Sequence, residues 1–210
     1  KNLKIKTPIL VLTKGLKYEK KSNRILTISE QLKKNYSGMN ISVLKGPCLA
    51  KELAEKNHTS VVIANKNINV AKSIGRLIST KYYITEYSKD IIGVEVCSAI
   101  KNIYSMIIGA GQSLNASSNL FQKSIIEMKY LTKYFKGKDE TTLGLAGIGD
   151  LYVSAAGGRN SKMGSYLGKG FTFNVAKKRF MPKDTVEGEQ LAREIAPFVF
   201  KKIDKKKIPL

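Results

Sequence analysis

One lysine stands apart from its surroundings. The segment from Ile91 to Leu114 is a long, mostly apolar stretch in which Glu95 and Lys101 are the only formal charges. A lysine among Val96, Ala99, Ile100, Ile103, Ile107 and Ile108 is poorly solvated, which disfavours its charged form and lowers its pKa. Such an ammonium transfers protons near neutral pH or polarises a carbonyl. The alternative is a side chain that snorkels to water along a helix, and the residue pattern alone leaves both open.

Three glycine-bearing motifs offer further chemistry. Thr13-Lys14-Gly15 directly follows the apolar run Ile9-Leu10-Val11-Leu12. Open α/β sheets bind ligands beyond the carboxyl ends of their strands, so Lys14 is expected in such a crevice. Gly46-Pro47-Cys48-Leu49-Ala50-Lys51-Glu52 follows a second apolar run. Pro47 suits the first turn of a helix, whose free N–H groups would favour an anion or a polar cofactor edge. Gly144-Leu145-Ala146-Gly147-Ile148-Gly149-Asp150-Leu151 precedes Gly157-Gly158-Arg159-Asn160. Asp150 could orient an active-site lysine, Arg159 could bind a phosphate through its planar fork, and Asn160 could cap the next helix. Taken singly, Lys14 reads as a solvated side chain and the glycine cluster as a structural turn, while the Gly46-Pro47 motif is equally well an ordinary strand-to-helix turn. His58, the sole histidine, lies in a polar stretch, and no Gly-x-Ser-x-Gly elbow is present.

The elements that must carry these residues fall into two regimes. Ile9–Leu12, Ile41–Leu44 and Val61–Ala64 are non-alternating apolar runs, as expected of strands buried on both faces. Between the last of these and Tyr82-Tyr83-Ile84, the positions Val70, Ala71, Ile74, Leu77 and Ile78 have a helical period. From about Asp90 onward strand signals vanish, leaving helices predicted over 91–114, 117–135 and 187–200, with Pro197 expected to kink or end the last. The expected fold is α/β followed by all-α. The division predicts two domains, residues 1–89 and 90–210, with the ligand cleft between them.

Composition narrows the function classes. The net charge of +21 raises nucleic-acid binding. However, only Arg24, Arg76, Arg159, Arg179 and Arg193 are arginines, and no helix-turn-helix, zinc-finger or RNA-recognition signature is present. Two cysteines, Cys48 and Cys97, make neither a disulfide framework nor metal-ligand spacing, so no metal is expected and a reducing cytoplasm is the default location. No apolar run reads as a membrane span and no signal peptide opens the chain.

Considered together, Thr13-Lys14-Gly15, Gly46-Pro47-x-x-Ala50-Lys51-Glu52, Gly93-Val94-Glu95 with Lys101-Asn102, Gly144-Leu145-Ala146-Gly147-x-Gly149-Asp150-Leu151, Gly158-Arg159-Asn160 and Val186-Glu187-Gly188 occur in an order and spacing that resemble NAD(P)-dependent glycerol-3-phosphate dehydrogenases. The match runs from about residue 8 to 200. The resemblance implies a remainder of a Rossmann-type NAD(P)-binding domain followed by an α-helical substrate domain. The implied activity is interconversion of dihydroxyacetone phosphate and sn-glycerol 3-phosphate with NAD or NADP, feeding glycerophospholipid synthesis. Lys101, Lys14 and Asp150 would be catalytic, with Lys101 moving the proton at the carbon-2 oxygen and Asn102 beside it. Lys14 would contact substrate and cofactor. Gly158, Arg159 and Asn160 would bind the substrate phosphate, with Arg159 also touching the cofactor. Gly46 and Cys48 would line the substrate, Ala50 the cofactor, and Thr185 and Glu187 would close over the cofactor. A homodimer is the family expectation.

The chain departs from the family pattern in places. Lys45 stands where bacterial members commonly have Ser, Cys48 where Ser, Thr or Asn is usual, and Gly157-Gly158-Arg159-Asn160 looks like the eukaryotic form. No Gly-x-Gly-x-x-Gly opens the chain, although the family's dinucleotide turn requires one. The sequence therefore reads as a partial one, expected to be inactive alone. The competing expectations are a related hydroxy-acid dehydrogenase and a basic, non-catalytic binding module.

Overall fold

A computed structural model describes residues 7–36 and 38–210. Strand β1 (Ile9–Val11) is followed by a hairpin of β2 (Leu16–Glu19) and β3 (Arg24–Thr27), then helix α1 (Ile28–Asn35). Strand β4 (Ile41–Lys45), helix α2 (Ala50–Ala54), β5 (Thr59–Ala64), α3 (Ile68–Ile78) and β6 (Tyr83–Ser88) complete the α/β part. The rest is helical: α4 (Ile91–Gly109), α5 (Leu114–Tyr134), α6 (Asp150–Ala155), α7 (Arg159–Gly168), α8 (Phe173–Phe180) and α9 (Glu187–Lys202).

The main sheet has the order β1-β4-β5-β6. The outer pairs are parallel, whereas β4 and β5 run antiparallel, with Val43 opposite Ala64. Side chains alternate across a strand, and both faces of this sheet are covered. Val11, Ile41, Val43, Val62 and Ala64 pack with Ile91, Val94 and Ala146 on one side, while Leu44, Val61 and Ile63 meet Ala71 of α3 on the other. This two-sided burial produces the non-alternating apolar runs in the sequence.

Helix α4 is the spine of the helical part. Asp90 caps its start by accepting from the Gly93 N–H at 2.9 Å, and its second oxygen accepts from the Lys138 N–H and the Thr141 hydroxyl. The cap thereby ties the glycine-rich segment after α5 to the start of α4. Helix α7 crosses α4 at close range, since a Cβ at Gly164 would lie 1.8 Å from the Met106 carbonyl oxygen. Only glycine permits that approach.

Several expectations are corrected. The predicted helix 91–114 ends at Gly109, because Ser113 caps a new helix by accepting from the Ala116 N–H. Helix α4 is also long and apolar enough to cross a membrane by length and composition, contrary to the sequence reading, although 78% of its apolar window is buried inside the fold. Pro197 does not end α9, which continues to Lys202. Pro197 and Arg193 both lie on its exposed side, where the carbonyl that loses its partner can be solvated. Pro47 precedes α2 rather than opening it. The hairpin β2–β3 and helices α1, α6, α7 and α8 are additions to the predicted elements.

Candidate active site

Where the carboxyl end of β1 meets the helical part, three side chains from separate segments converge. Lys14 lies in the loop after β1, Lys101 in the middle of α4, and Asp150 at the first position of α6. The Lys101 ammonium donates to Asp150 Oδ1 at 2.8 Å and to the Ser154 hydroxyl, while the Lys14 ammonium donates to Asp150 Oδ2 at 2.7 Å. Lys101 is 4% exposed and Asp150 3%, so the snorkelling alternative is ruled out. Ser154 follows Asp150 by one helical turn, which puts both on one face of α6.

Burial disfavours the charged Lys101 and lowers its pKa to about 8, even though Asp150 pulls it upward; Lys14 adds to the downward push. The local inventory is two ammonium groups around one carboxylate. That excess of positive charge suits an anionic ligand or a developing oxyanion.

A second chain of hydrogen bonds runs beside the first. Asn160 Nδ2 donates to Asn102 Oδ1 at 3.2 Å, the Gly188 N–H donates to Asn160 Oδ1 at 2.9 Å, and Asn102 Nδ2 donates to Glu187 Oε2 at 3.2 Å. The starts of α7 and α9 are thus both fixed to α4 one residue beyond Lys101. Gly158, not Asn160, is the N-cap of α7, and no side chain caps that terminus. Asn160 is inside the helix and buried. Arg159 reaches Glu187 Oε1 at 3.4 Å, with both side chains about half exposed. Such a pair contributes little and can be exchanged for another anion.

These groups share a cavity of about 700 Å³, lined by Lys14, Cys48, Lys101, Asn102, Asp150 and Ser154 together with Gly157, Gly158, Arg159, Asn160 and Glu187. The volume is that of a small-molecule site. Gly46, Ala50 and Thr185 do not line it. Gly46 instead makes the turn that brings Cys48 there, with φ +122°, a conformation that favours glycine. Ala50 and Thr185 are exposed outside the cavity. Partial burial raises the Cys48 thiol pKa, against the opposing pull of Lys14. His58 is exposed in a loop, and among the described residues no cluster of metal-ligating side chains forms.

The sequence reading missed Ser154, Leu12, Leu49 and Val153, which also line the cavity. The spacing of Ser154 from Asp150 is a readable signal once α6 is assigned, whereas the other three carry none.

The pattern described as the C-terminus of NAD-dependent glycerol-3-phosphate dehydrogenase matches residues 90–210, more than half of the chain, and its N-terminal counterpart matches residues 1–71. The chain belongs to that family. An NADP(+)-dependent glycerol-3-phosphate dehydrogenase of Archaeoglobus fulgidus is 32% identical over 200 residues, covering 89% of this chain and 59% of the relative. A Francisella tularensis glycerol-3-phosphate dehydrogenase [NAD(P)+] is 34% identical over 166 residues, or 76% of this chain and 49% of the relative. Among solved structures, the glycerol-3-phosphate dehydrogenase of Coxiella burnetii is 30% identical with a TM-score of 0.82, covering 93% of this chain and 60% of that one. The Plasmodium falciparum enzyme, at 22% identity, shares the fold with a TM-score of 0.86, covering 97% of this chain and 58% of that one. This chain therefore spans between half and three-fifths of the length of these dehydrogenases.

Proposed function

We propose that the protein to which this chain belongs is a glycerol-3-phosphate dehydrogenase, interconverting dihydroxyacetone phosphate and sn-glycerol 3-phosphate with NAD or NADP and so feeding glycerophospholipid synthesis in the cytoplasm. The observation that carries the reading is the single carboxylate of Asp150 held between Lys14 and Lys101, in a cavity that Arg159 and the uncapped start of α7 also line. The paired lysines suit a carbonyl oxygen, and Arg159 with the free N–H groups of α7 suits a phosphate.

The nicotinamide, when bound, would supply the hydride that carbon 2 takes up. Lys101 stabilises the charge that then develops on the carbon-2 oxygen and donates the proton to it; in the reverse direction it takes the proton back. Its pKa of about 8 suits both roles near neutral pH. Asp150 holds the Lys101 ammonium in place through Oδ1 and restrains Lys14 through Oδ2. Arg159 exchanges Glu187 for the substrate phosphate, whose charge is further favoured by the N–H groups at the start of α7. The resulting fixed orientation of carbon 2 removes much of the entropic barrier.

The residues present fit the nicotinamide end of the cofactor. Leu12 and Leu49 leave an uncovered apolar wall beside Lys14, at 61% and 46% exposure, as a flat aromatic ring requires. Lys14, Leu12, Leu49 and Arg159 would hold that end, and Glu187, at the cavity rim, would close over it. The roles assigned to Gly46, Ala50 and Thr185 are indirect in this reading, through the turns that shape the rim. Residues 1–89 would belong to the cofactor-binding domain and 90–210 to the substrate domain.

The test is oxidation of NADH or NADPH by the full-length protein with dihydroxyacetone phosphate, compared with keto acids. Turnover specific to dihydroxyacetone phosphate, reduced by at least about a hundredfold in a folded Lys101→Met variant, is expected. Equal turnover with a keto acid, or full activity in that variant, would overturn the assignment.

A further inference from the structure

Lys45 closes β4 and is only 2% exposed, on the same face of the strand as Ile41 and Val43. That face packs against α4, where an apolar side chain would be the ordinary choice. Its ammonium instead donates to two backbone carbonyls, Thr13 O at 2.6 Å and Val11 O at 3.2 Å. The pairing of β1 with β4 runs from Ile9 opposite Ile41 to Val11 opposite Val43 and then stops. Continued by two residues, the register would set Thr13 opposite Lys45. The chain leaves the sheet there, so the Lys45 side chain supplies the donor that Thr13 O would otherwise lack and adds a second one to Val11 O at the last ladder pair. The next residue after Thr13 is Lys14, whose ammonium meets Asp150.

We propose that Lys45 is a positioning residue for Lys14: it clamps the end of β1, so that the Lys14 ammonium is held against Asp150 in the cavity. The clamp rests on the functional reading above only for its consequence in turnover. Burying an ammonium against neutral carbonyls is unfavourable, and burial lowers the Lys45 pKa to about 8, against the pull of Glu95 and Asp150. A methionine would fill the same volume without that penalty. What methionine cannot supply is the pair of donors that fixes the segment preceding Lys14.

The test uses the full-length protein with Lys45→Met, Lys45→Arg, Lys14→Met and the Lys45→Met/Lys14→Met double variant, each checked for fold by circular dichroism. Two readouts are taken: kcat/KM for dihydroxyacetone phosphate, and backbone hydrogen exchange over residues 12–15. Lys45→Met should lower kcat/KM by about tenfold but less than twofold when Lys14 is already Met, the non-additivity of residues acting through one another. It should also speed exchange over 12–15 while β4 and β5 stay protected. Lys45→Arg, which keeps the donors, should recover most of both signals; if Lys45→Met does not fold, Lys45→Gln, whose shorter side chain cannot reach Thr13 O, takes its place with the same two readouts. Unchanged exchange in Lys45→Met, or equal losses in the two backgrounds, would overturn the clamp. If the unsubstituted protein lacks the activity, the functional reading fails and the exchange measurement still decides the clamp.

Discussion

Lys14 and Lys101 hold opposite oxygens of one carboxylate, with Asp150 at 2.7 Å from the first ammonium and 2.8 Å from the second. One lysine comes from the loop after β1 and the other from the core helix, so this shared anion joins the two parts of the chain at the point where chemistry is proposed.

Asp150→Asn should therefore damage stability and turnover together. It leaves the buried Lys101 ammonium without its counterion, and removing one member of a buried pair costs about 3 kcal/mol. Turnover with dihydroxyacetone phosphate should fall by about a hundredfold or more, because proton transfer and orientation are both disturbed. Urea melts and steady-state kinetics on the same preparation check the two effects. Wild-type stability in the variant would mean that the carboxylate is not the anchor described.

The pH dependence follows from Lys101. Reduction needs its protonated form, so kcat/KM for dihydroxyacetone phosphate should fall as pH rises through about 8, while oxidation of glycerol 3-phosphate should rise through the same pH. The stability effect has a definite sign. The folded-state pKa of about 8 lies below the ordinary lysine value of 10.5, so between them the unfolded chain binds more protons and this group makes stability increase with pH. Denaturant titrations at several pH values between 7 and 11 should show a smaller upward trend in Lys101→Met than in the unsubstituted protein.

What could be read from the sequence tracks burial. Ile41–Leu44 and Val61–Ala64 are recognisable as strands because both of their faces are covered. The hairpin was not, since β2 and β3 have four residues each and their turn contains no glycine: Asn23 takes the positive φ of 50°. Helix α1 did carry a signal, the Thr27-x-x-Glu30 capping box, which the structure forms in both directions. Lys101, Lys14, Asp150, Arg159 and Asn160 could be picked out by residue type and order, and they do converge. The clamp by Lys45 was invisible, because it depends on where the β1–β4 register stops rather than on any spacing along the chain.

Arg159→Lys should separate phosphate binding from chemistry. Lysine keeps the charge but loses the planar two-pronged fork. A lost charged hydrogen bond is worth about 1.5–3 kcal/mol, so KM for dihydroxyacetone phosphate should rise by about tenfold or more, with a smaller change in kcat. A non-phosphorylated ketone such as dihydroxyacetone should show almost no difference between the two proteins. If KM is unchanged for both ketones, Arg159 is not the phosphate ligand.

The crossing of α4 and α7 supplies the last prediction. Asn102 and Asn160 meet at 3.2 Å where Gly164 of α7 and Gly109 of α4 let the two helices touch further along. In Gly164→Ala the added methyl would sit 1.8 Å from the Met106 carbonyl oxygen, a backbone atom that no side-chain rotation can clear. The helices must part, with a loss of about 1–3 kcal/mol or more. The start of α7 then moves relative to Lys101, so KM for the phosphorylated substrate should rise as well as thermal stability falling. Gly144→Ala is the matched control. There the nearest contact of an added Cβ is the Thr141 carbonyl oxygen at 3.5 Å, an ordinary separation, and φ is −93°. Its stability should stay within about 1 kcal/mol of the parent. Differential scanning calorimetry of the two variants measures the contrast, and equal melting temperatures would show that the helix crossing is not set by Gly164.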